Sequence, residues 1–280
     1  MGGASGYNVG EKSVLYDELV KARVPKSSAK NFCKSAPTYW GEKAFTSGPV
    51  YMGAIICFLF LLGLLIVKGP YKWALLAATL FSLCLAWGHN FMSLTELFFN
   101  YFPMYNKFRA VESILIVAEI TMPLLAMLAL RELNKADKTE QEAKWHKPAL
   151  FIAGGVTAGI CLFVALFGHG FDVTSSYDAA WKGSVGDQIY DAILSQRRQM
   201  LTSDAWRSLA FVALGWALTY WYAFSKKTEN GKKQLVFGLA LTTLVVADMW
   251  TVDKRFCNND NFVNKKDTER AFKMLPYEKE

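Results

Sequence analysis

The stretch NYFPMYNKFRAVESILIVAE, residues 100 to 119, places ionic side chains where an apolar segment begins. Two are basic, Lys107 and Arg109, and two are acidic, Glu112 and Glu119. On a helix, Glu112 lies close enough to pair with Arg109, and Glu119 follows two turns later on nearly the same face. A carboxylate facing lipid costs on the order of several kcal/mol, so we expect Glu119 to face protein or water and to have a partner.

These four residues, named the polar stripe below, have more than one chemical use. A guanidinium at the membrane boundary can hold a phosphate through two parallel hydrogen bonds, which makes a lipid phosphate the natural ligand of Arg109 and Lys107. Snorkelling of both side chains toward lipid headgroups is the alternative. For the two acids, pairing with another helix competes with binding of an ion or a sugar hydroxyl and with a proton relay.

Three further polar residues are expected on the same side of the membrane as the polar stripe. His89 and Asn90 follow the second apolar segment, and Asp248 lies near the end of the sixth. An isolated histidine is more often structural than catalytic. The sequence shows no glycine-rich phosphate loop, zinc-ligand spacing, nucleophile elbow or disulfide pattern. Catalytic residues and metal ligands are therefore unassigned, no cofactor is identified, and a need for a divalent metal ion is left open.

The composition indicates what must position these residues. Hydrophobic residues make up 52% of the 280 and aromatic residues 15%, and the mean hydropathy is positive. A soluble helical core is the competing explanation, but the first apolar segment has no polar face for water. The fold class is predicted as all-α, a polytopic membrane protein with about six transmembrane helices and short interfacial helices. The predicted spans are 50–67, 71–88, 111–130, 148–168, 205–224 and 233–250.

Shorter helices are predicted outside the spans. Helical spacing at 13–23 and 27–34 indicates two of them before the first span. Ser93 and Glu96 fit a capping box, so a helix should begin there and stop ahead of Pro103. Its aromatic residues favour either the outer membrane interface or packing under a loop.

The last loop before the fifth span has its own pattern. The sequence GDQIYDAILSQRRQML places apolar residues near one helical face, which predicts an amphipathic interfacial helix. Ser203 or Asp204 would then cap a separate fifth span. The domain organisation is an extracytoplasmic segment over 1–49, a transmembrane domain over 50–251 and a polar extracytoplasmic tail over 252–280.

The distribution of Lys and Arg predicts the orientation. Eleven lie in the short loops after spans one, three and five, and only five lie in the longer loops 89–110 and 169–204. The basic side is expected to be cytoplasmic, which places both termini outside. Basic residues beside spans are topology signals, so no nucleic acid is expected as a partner; the lipid bilayer is.

The first 49 residues lack a signal that would carry them across the membrane to the outer side. They contain seven basic residues and no apolar core that could act as a signal peptide. We therefore expect the chain to be the later part of a longer membrane protein, with the missing N-terminal part as a partner.

Several blocks together resemble the YfhO family of bacterial membrane proteins, especially its Bacteroidetes-type members. They are GGASGYN (2–8), SAPTYWG (35–41), FTSGPVYMGAI (45–55), the NYFPMYNKFRAVESILIVAE stretch, DAWRS (204–208) and DMWTVDKR (248–255). The resemblance covers essentially the whole chain but corresponds to the middle and later part of longer family members.

The resemblance implies a multi-pass protein of the inner, cytoplasmic membrane, similar to GT-C glycosyltransferases. Such enzymes transfer sugars from polyprenyl-phosphate donors on the outer face of the membrane, and some relatives act in cell-envelope glycosylation. Their usual catalytic acid lies in the first outer loop, a region that this chain does not contain, so no catalytic aspartate is carried over. Lys107 and Arg109 would hold the donor phosphate while neighbouring acids orient the cations or sugar hydroxyls.

Two other classes of function stay open. A transporter or ion-coupled protein would use Glu119 and Asp248 to line a pathway, although no inverted repeat is evident in the six segments. A non-catalytic membrane scaffold would use the polar stripe only to join helices.

Overall fold

The computed structural model describes residues 8–41, 50–107, 111–135, 140–175, 178–225 and 231–256. Within these ranges the chain is all-helical and has no β-strand. Short 3-10 turns lie at Gly88–Phe91, Tyr105–Lys107, Val111–Leu115 and Gly168–Gly170. The α-helices are α1 (Val14–Lys21), α2 (Lys26–Lys34), α3 (Ala54–Ile66), α4 (Tyr71–Ala86), α5 (Met92–Tyr101), α6 (Ile116–Asn134), α7 (Glu140–Phe167), α8 (Asp178–Val185), α9 (Asp187–Phe224) and α10 (Lys232–Phe256).

Helices α1 and α2 confirm the two short helices predicted before the first span. The Ser13 hydroxyl caps α1 by accepting a hydrogen bond from the Tyr16 amide at 3.1 Å. Both helices pack against the first part of α9 in a small core that includes Leu15, Cys33 and Ile193. Burial raises the pKa of the Cys33 thiol. This amino-terminal unit is therefore anchored on α9 by apolar contacts.

Three helical segments in the described ranges are long and apolar enough to cross a membrane, and a bent helix pair makes a fourth at most. The three are Val111–Asn134, Lys144–Gly170 and Lys232–Arg255. Many large apolar side chains on them are exposed, as expected for surfaces that face lipid. The class of all-α protein with membrane-spanning helices is thus supported, and the described segments that are long and apolar enough to span are fewer than the about six predicted.

The first two predicted spans are shorter than a bilayer requires. Helix α3 has 13 residues and so spans about 20 Å, whereas the hydrocarbon core is about 30 Å thick. Helix α4 has 16 residues, and the chain bends by 110° between it and the segment Gly88–Tyr101. Pro70 and Gly69 before α4, and the bend after it, limit the length that the apolar composition suggested.

The fifth predicted span is the second half of a longer helix. Helix α9 runs for 38 residues without a break, so the interfacial helix and the span are one element. Neither Ser203 nor Asp204 caps a helix, because both lie inside α9. Arg207 and four Trp and Tyr residues between 216 and 222 lower the hydropathy of this half, and it is not among the segments apolar enough to cross a membrane.

Helix α5 ends before Pro103 as predicted, but its beginning differs. The Ser93 and Glu96 capping box does not form, since Phe91 is the cap residue and no side chain caps the helix. The preceding 3-10 turn leads directly into α5, and the Thr95 hydroxyl donates to the Gly88 carbonyl at 2.8 Å. Because the 3-10 turn continues directly into α5, the first turn of α5 needs no side-chain cap.

Contacts at the two ends of the bundle show that the long helices alternate in direction. Asp248, near the end of α10, bonds the first amide of α3. At the opposite end, Asn134 at the end of α6 accepts hydrogen bonds from Tyr222 and Gln234. Helices α3 and α6 therefore run in the same direction, and α10 runs against both. The end at which α3 and α6 begin and α10 finishes is called the Asp248 end below.

Close packing of α3 on α6 depends on Gly63. A Cβ atom built on Gly63 would lie 2.8 Å from the Leu125 carbonyl oxygen and 2.8 Å from its Cγ. A backbone oxygen cannot move away as a flexible side chain can, so the two helices approach closely only because this position has no side chain.

We expect Gly63→Ala to destabilise the protein by about 1–3 kcal/mol, the usual cost of overpacking a well-packed core. The matched control is Gly155→Ala, because a Cβ at Gly155 meets no atom within 4 Å. Unfolding of the detergent-solubilised protein by added SDS, followed by circular dichroism, measures the difference. Equal midpoints for the two variants would contradict the close approach of α3 and α6.

Candidate functional site

Asp248 is fully buried, with 0% of its surface exposed, at the point where α10 meets the start of α3. Its Oδ2 accepts a hydrogen bond from the Ala54 amide at 2.7 Å, and its Oδ1 accepts one from the Tyr51 hydroxyl at 2.6 Å. The first amides of a helix have no partners within the helix and carry partial positive charge. Asp248 therefore acts as a cap for α3 supplied by a residue 194 positions away.

Arg207 of α9 completes the environment of Asp248. Its Nη2 lies 4.0 Å from Asp248 Oδ1 and donates to the Tyr51 hydroxyl oxygen at 3.2 Å. Its Nη1 donates to the Thr251 hydroxyl at 2.9 Å, and the guanidinium lies over the Tyr51 ring, 5.3 Å from its centroid. The Tyr51 hydroxyl thus bridges the arginine and the carboxylate, and the charges of α9 and α10 balance locally.

A second ion pair joins the same two helices one turn farther out. Arg255 donates from Nη1 to Asp204 Oδ2 at 2.7 Å and from Nη2 to Asp204 Oδ1 at 2.5 Å. This two-bond geometry fixes the orientation of both groups. Asp204 precedes Arg207 by three residues, or about 4.5 Å along the helix axis, so the two pairs form consecutive rungs.

A third ion pair lies about 10 Å from Asp204 along α9, toward the beginning of that helix. Arg197 has 1% of its side chain exposed and Asp178 has 7%. Arg197 donates from Nη1 to Asp178 Oδ2 at 2.6 Å and from Nη2 to Oδ1 at 2.8 Å. It also donates to the carbonyls of Pro37 and Val173. Arg197 therefore holds the amino-terminal unit, the chain before α8, and α9 together.

Tyr190 closes the third pair on the side of α9. Its hydroxyl donates to Asp178 Oδ2 at 3.3 Å. Burial and the nearby Asp178 charge raise the pKa of Tyr190, which keeps the hydroxyl protonated and able to donate.

These three pairs are named the ionic ladder, and they concentrate buried charge at one end of the molecule. Among the described residues, each ion pair with a buried carboxylate lies at the Asp248 end. At the opposite end, Lys68 and Lys135 pair with Glu142 and Glu132 while their own side chains are about half exposed or more. Surface pairs contribute little to stability, whereas buried pairs constrain geometry strongly.

Most of the polar stripe lies toward the Asp248 end but outside the ladder. Lys107 is exposed in a 3-10 turn, and Glu112 is half-buried in the 3-10 turn that precedes α6. Arg109 lies outside the described residues. Lys107, Glu112 and Asp248 thus lie toward the same end of the bundle, and the side of the membrane on which this end lies stays a prediction.

Glu119 differs from its expected environment. It lies in the first turn of α6 on an exposed face, between the exposed Ile116 and Ile120, and it has no bonding partner in the described part of the chain. The positive end of the helix dipole stabilises a carboxylate in this first turn, which replaces the partner that the sequence suggested.

His89 and Asn90 are exposed in the 3-10 turn Gly88–Phe91. The structure gives Asp248 other partners, so these two residues and Asp248 do not form one constellation. Over the described ranges, no group of three or more His, Cys, Asp or Glu side chains could hold a metal ion.

Reading the sequence alone missed the partners of Asp248 and the pairing of Asp204 with Arg255. A signal was present, because the blocks DAWRS and DMWTVDKR each put an Asp and an Arg at the same predicted side of the membrane. When each of two neighbouring helices carries an acid and a base at the same depth, the acid of one helix is expected to pair with the base of the other. Tyr51 carried no comparable signal, since its role depends on the turn before α3.

Comparison with protein-family models, curated proteins and solved structures found no match to this chain.

Proposed function

We propose that this chain is the membrane-embedded helical part of a YfhO-like protein of the bacterial inner membrane that takes part in glycosyl transfer from a lipid-linked sugar. Support comes from the resemblance of the six sequence blocks and from helices long and apolar enough to cross a membrane. In this proposal the Asp248 end faces outward and both termini of the chain are extracytoplasmic, as the distribution of basic residues predicts.

The observation that carries the proposal is the concentration of buried ion pairs at the end where the polar stripe lies. Of the ladder residues, Asp248 and Arg255 lie on a helix long and apolar enough to cross a membrane, and charges on such helices are costly and mark functional regions. Here they are paired and fixed to a helix terminus, so they form a rigid frame. Such a frame can hold neighbouring cations at a constant depth in the membrane.

Lys107 and Arg109 are the proposed contacts of the donor phosphate. Lys107 is exposed and therefore accessible to a headgroup. When a sugar leaves a polyprenyl phosphate, negative charge develops on the phosphate, and cations positioned beside it stabilise the transition state. Glu112 would orient the cations, and the catalytic acid would come from outside this chain.

A non-catalytic scaffold is the second candidate, because the ionic ladder is neutral and internally paired.

A transporter would use Glu119 and Asp248 to line a pathway. Asp248 is fully occupied by Tyr51, Ala54 and Arg207, and Glu119 lies on an exposed face. A pathway lined by these two acids, as a transporter would require, gains no support from the geometry.

In membranes from cells that produce the full protein, we expect Arg109→Ala to reduce sugar transfer from polyprenyl phosphate about 100-fold, the usual effect of removing one positioned donor. Arg109→Lys should lose most of the same activity if recognition is bidentate. The measurement is incorporation of radiolabelled sugar into envelope polymer.

The matched control is Lys144→Ala, which removes an exposed cation at the opposite end. Transfer that is unchanged in both Arg109 variants would contradict the phosphate contact. Wild-type membranes with no transfer above those of a deletion strain would favour the scaffold.

A further inference from the structure

A polar cleft of about 260 Å³ opens between the amino-terminal unit and the outer ends of α9 and α10. Its chemically important lining residues are Lys12, Gln196, Gln199, Ser203, Asp204 and Arg255. Its volume is just below the roughly 300 Å³ at which sites for drug-sized ligands begin, so it suits one small group. None of the polar residues considered for the phosphate contact lines it.

Gln196 contributes an amide to the lining of the cleft. The residue is only 6% exposed, and its Oε1 accepts a long hydrogen bond of 3.5 Å from the Leu15 amide. Its amide nitrogen has no partner among the described residues, although it belongs to the cleft lining. This nitrogen is not among the buried atoms that lack a partner, so it is open to the cleft and can donate to water or to a group bound there.

The charges of the lining define that acceptor. Asp204 and Arg255 neutralise each other through two hydrogen bonds, which leaves Lys12 as the uncompensated charge of the lining. A ligand with one negative charge and several acceptor oxygens would satisfy Lys12 and the Gln196 amide together. A phosphodiester has this charge and these oxygens.

The depth of the cleft indicates where the phosphodiester comes from. Asp204 and Arg255 lie one helical turn beyond Arg207 and Thr251, toward the Asp248 end of the bundle. The side chains of Trp206 and Trp250 are exposed at about the height of Arg207 and Thr251. Tryptophan at the end of a span marks the headgroup region of a membrane. The cleft therefore opens at headgroup depth.

We propose that this cleft binds the phosphate of an anionic phospholipid as a structural lipid, with Lys12 neutralising the charge and Gln196 donating to a phosphate oxygen. The bound headgroup joins the amino-terminal unit to α9 and α10, because Lys12 belongs to the former and Gln196 to α9. The inference is independent of glycosyl transfer, since neither the site nor its test involves a sugar.

The test measures retained lipid by native mass spectrometry of the protein released from nanodiscs of phosphatidylcholine with or without phosphatidylglycerol. We expect wild type to retain phosphatidylglycerol in preference to phosphatidylcholine, and Lys12→Ala to bind it about tenfold more weakly. Lys26→Ala removes an exposed lysine outside the cleft and should behave as wild type.

A second variant, Gln196→Met, keeps the volume and removes the amide, and its thermal unfolding is compared with wild type to confirm folding. Inorganic phosphate is tested separately by titration. Binding of phosphate that depends on Lys12 and Gln196, without retention of phosphatidylglycerol, would support the site with a soluble source. Equal retention of phosphatidylglycerol by Lys12→Ala, Lys26→Ala and wild type, with no phosphate binding, would overturn the proposal.

Discussion

Arg197→Ala is expected to destabilise the protein by about 3–5 kcal/mol, the cost of leaving one member of a buried ion pair without its partner. The variant leaves the Asp178 carboxylate buried and removes the donor to the Pro37 and Val173 carbonyls. Because Arg197 ties the amino-terminal unit to α9, we also expect faster hydrogen exchange over α1 and α2 than over α6.

The neighbouring residue provides the control. Arg198 is half-buried and donates one long hydrogen bond, 3.4 Å, to the Phe171 carbonyl. Arg198→Ala should therefore cost well under half as much. Denaturation by SDS gives the two midpoints, and exchange followed by mass spectrometry gives the local effect. Indistinguishable midpoints would show that the third pair does not hold the two parts together.

The double variant Asp178→Leu/Arg197→Met tests whether the pair is needed for stability itself. Replacing a buried ion pair by apolar residues is often neutral, since it removes two desolvation costs together with one attraction. We expect the double variant to be more stable than Arg197→Ala. Any remaining loss of stability relative to wild type would come from the groups that lose their partners, which are the Pro37 and Val173 carbonyls, the Ser175 amide and the Tyr190 hydroxyl.

Asp248→Ala has the second large expected effect, again about 3–5 kcal/mol. It removes the acceptor of the Ala54 amide and of the Tyr51 hydroxyl, and it leaves the Arg207 charge without its nearest carboxylate. The first amide of α3 then keeps only its longer bond, 3.2 Å, to the Tyr51 hydroxyl oxygen, and the contacts of α3 with α6 and α9 weaken.

Asp253→Ala is the matched control, because Asp253 is an exposed acid on the same helix, five residues later. Asp248→Asn keeps the size and one acceptor oxygen, so it should fall between the two alanine variants. Stability is measured by SDS denaturation in the same detergent for all three. A loss for Asp253→Ala as large as that for Asp248→Ala would contradict the capping role.

Helix positions and the general class of the fold follow from local sequence. Apolar runs, helical spacing and Pro103 act within a few residues, so they predict where helices form without knowledge of their neighbours. The alternation of basic loops predicts on which side of the membrane each end of the bundle lies, and this orientation stays a prediction. Hydrophobicity alone could not separate a membrane span from a shorter helix such as α3 or from the aromatic second half of α9.

The chemistry of the site was decided by tertiary structure. Asp248 could be identified as a costly intramembrane acid, but its partners come from a turn 197 residues earlier and from α9. Glu119 was expected to face protein or water and to have a partner; the first turn of α6 places it on an exposed face, where it has no partner among the described residues. The local sequence determines which charged side chains lie on each helix. Which charges are buried together depends on how distant helices pack, because a charge loses its water only when another element covers it.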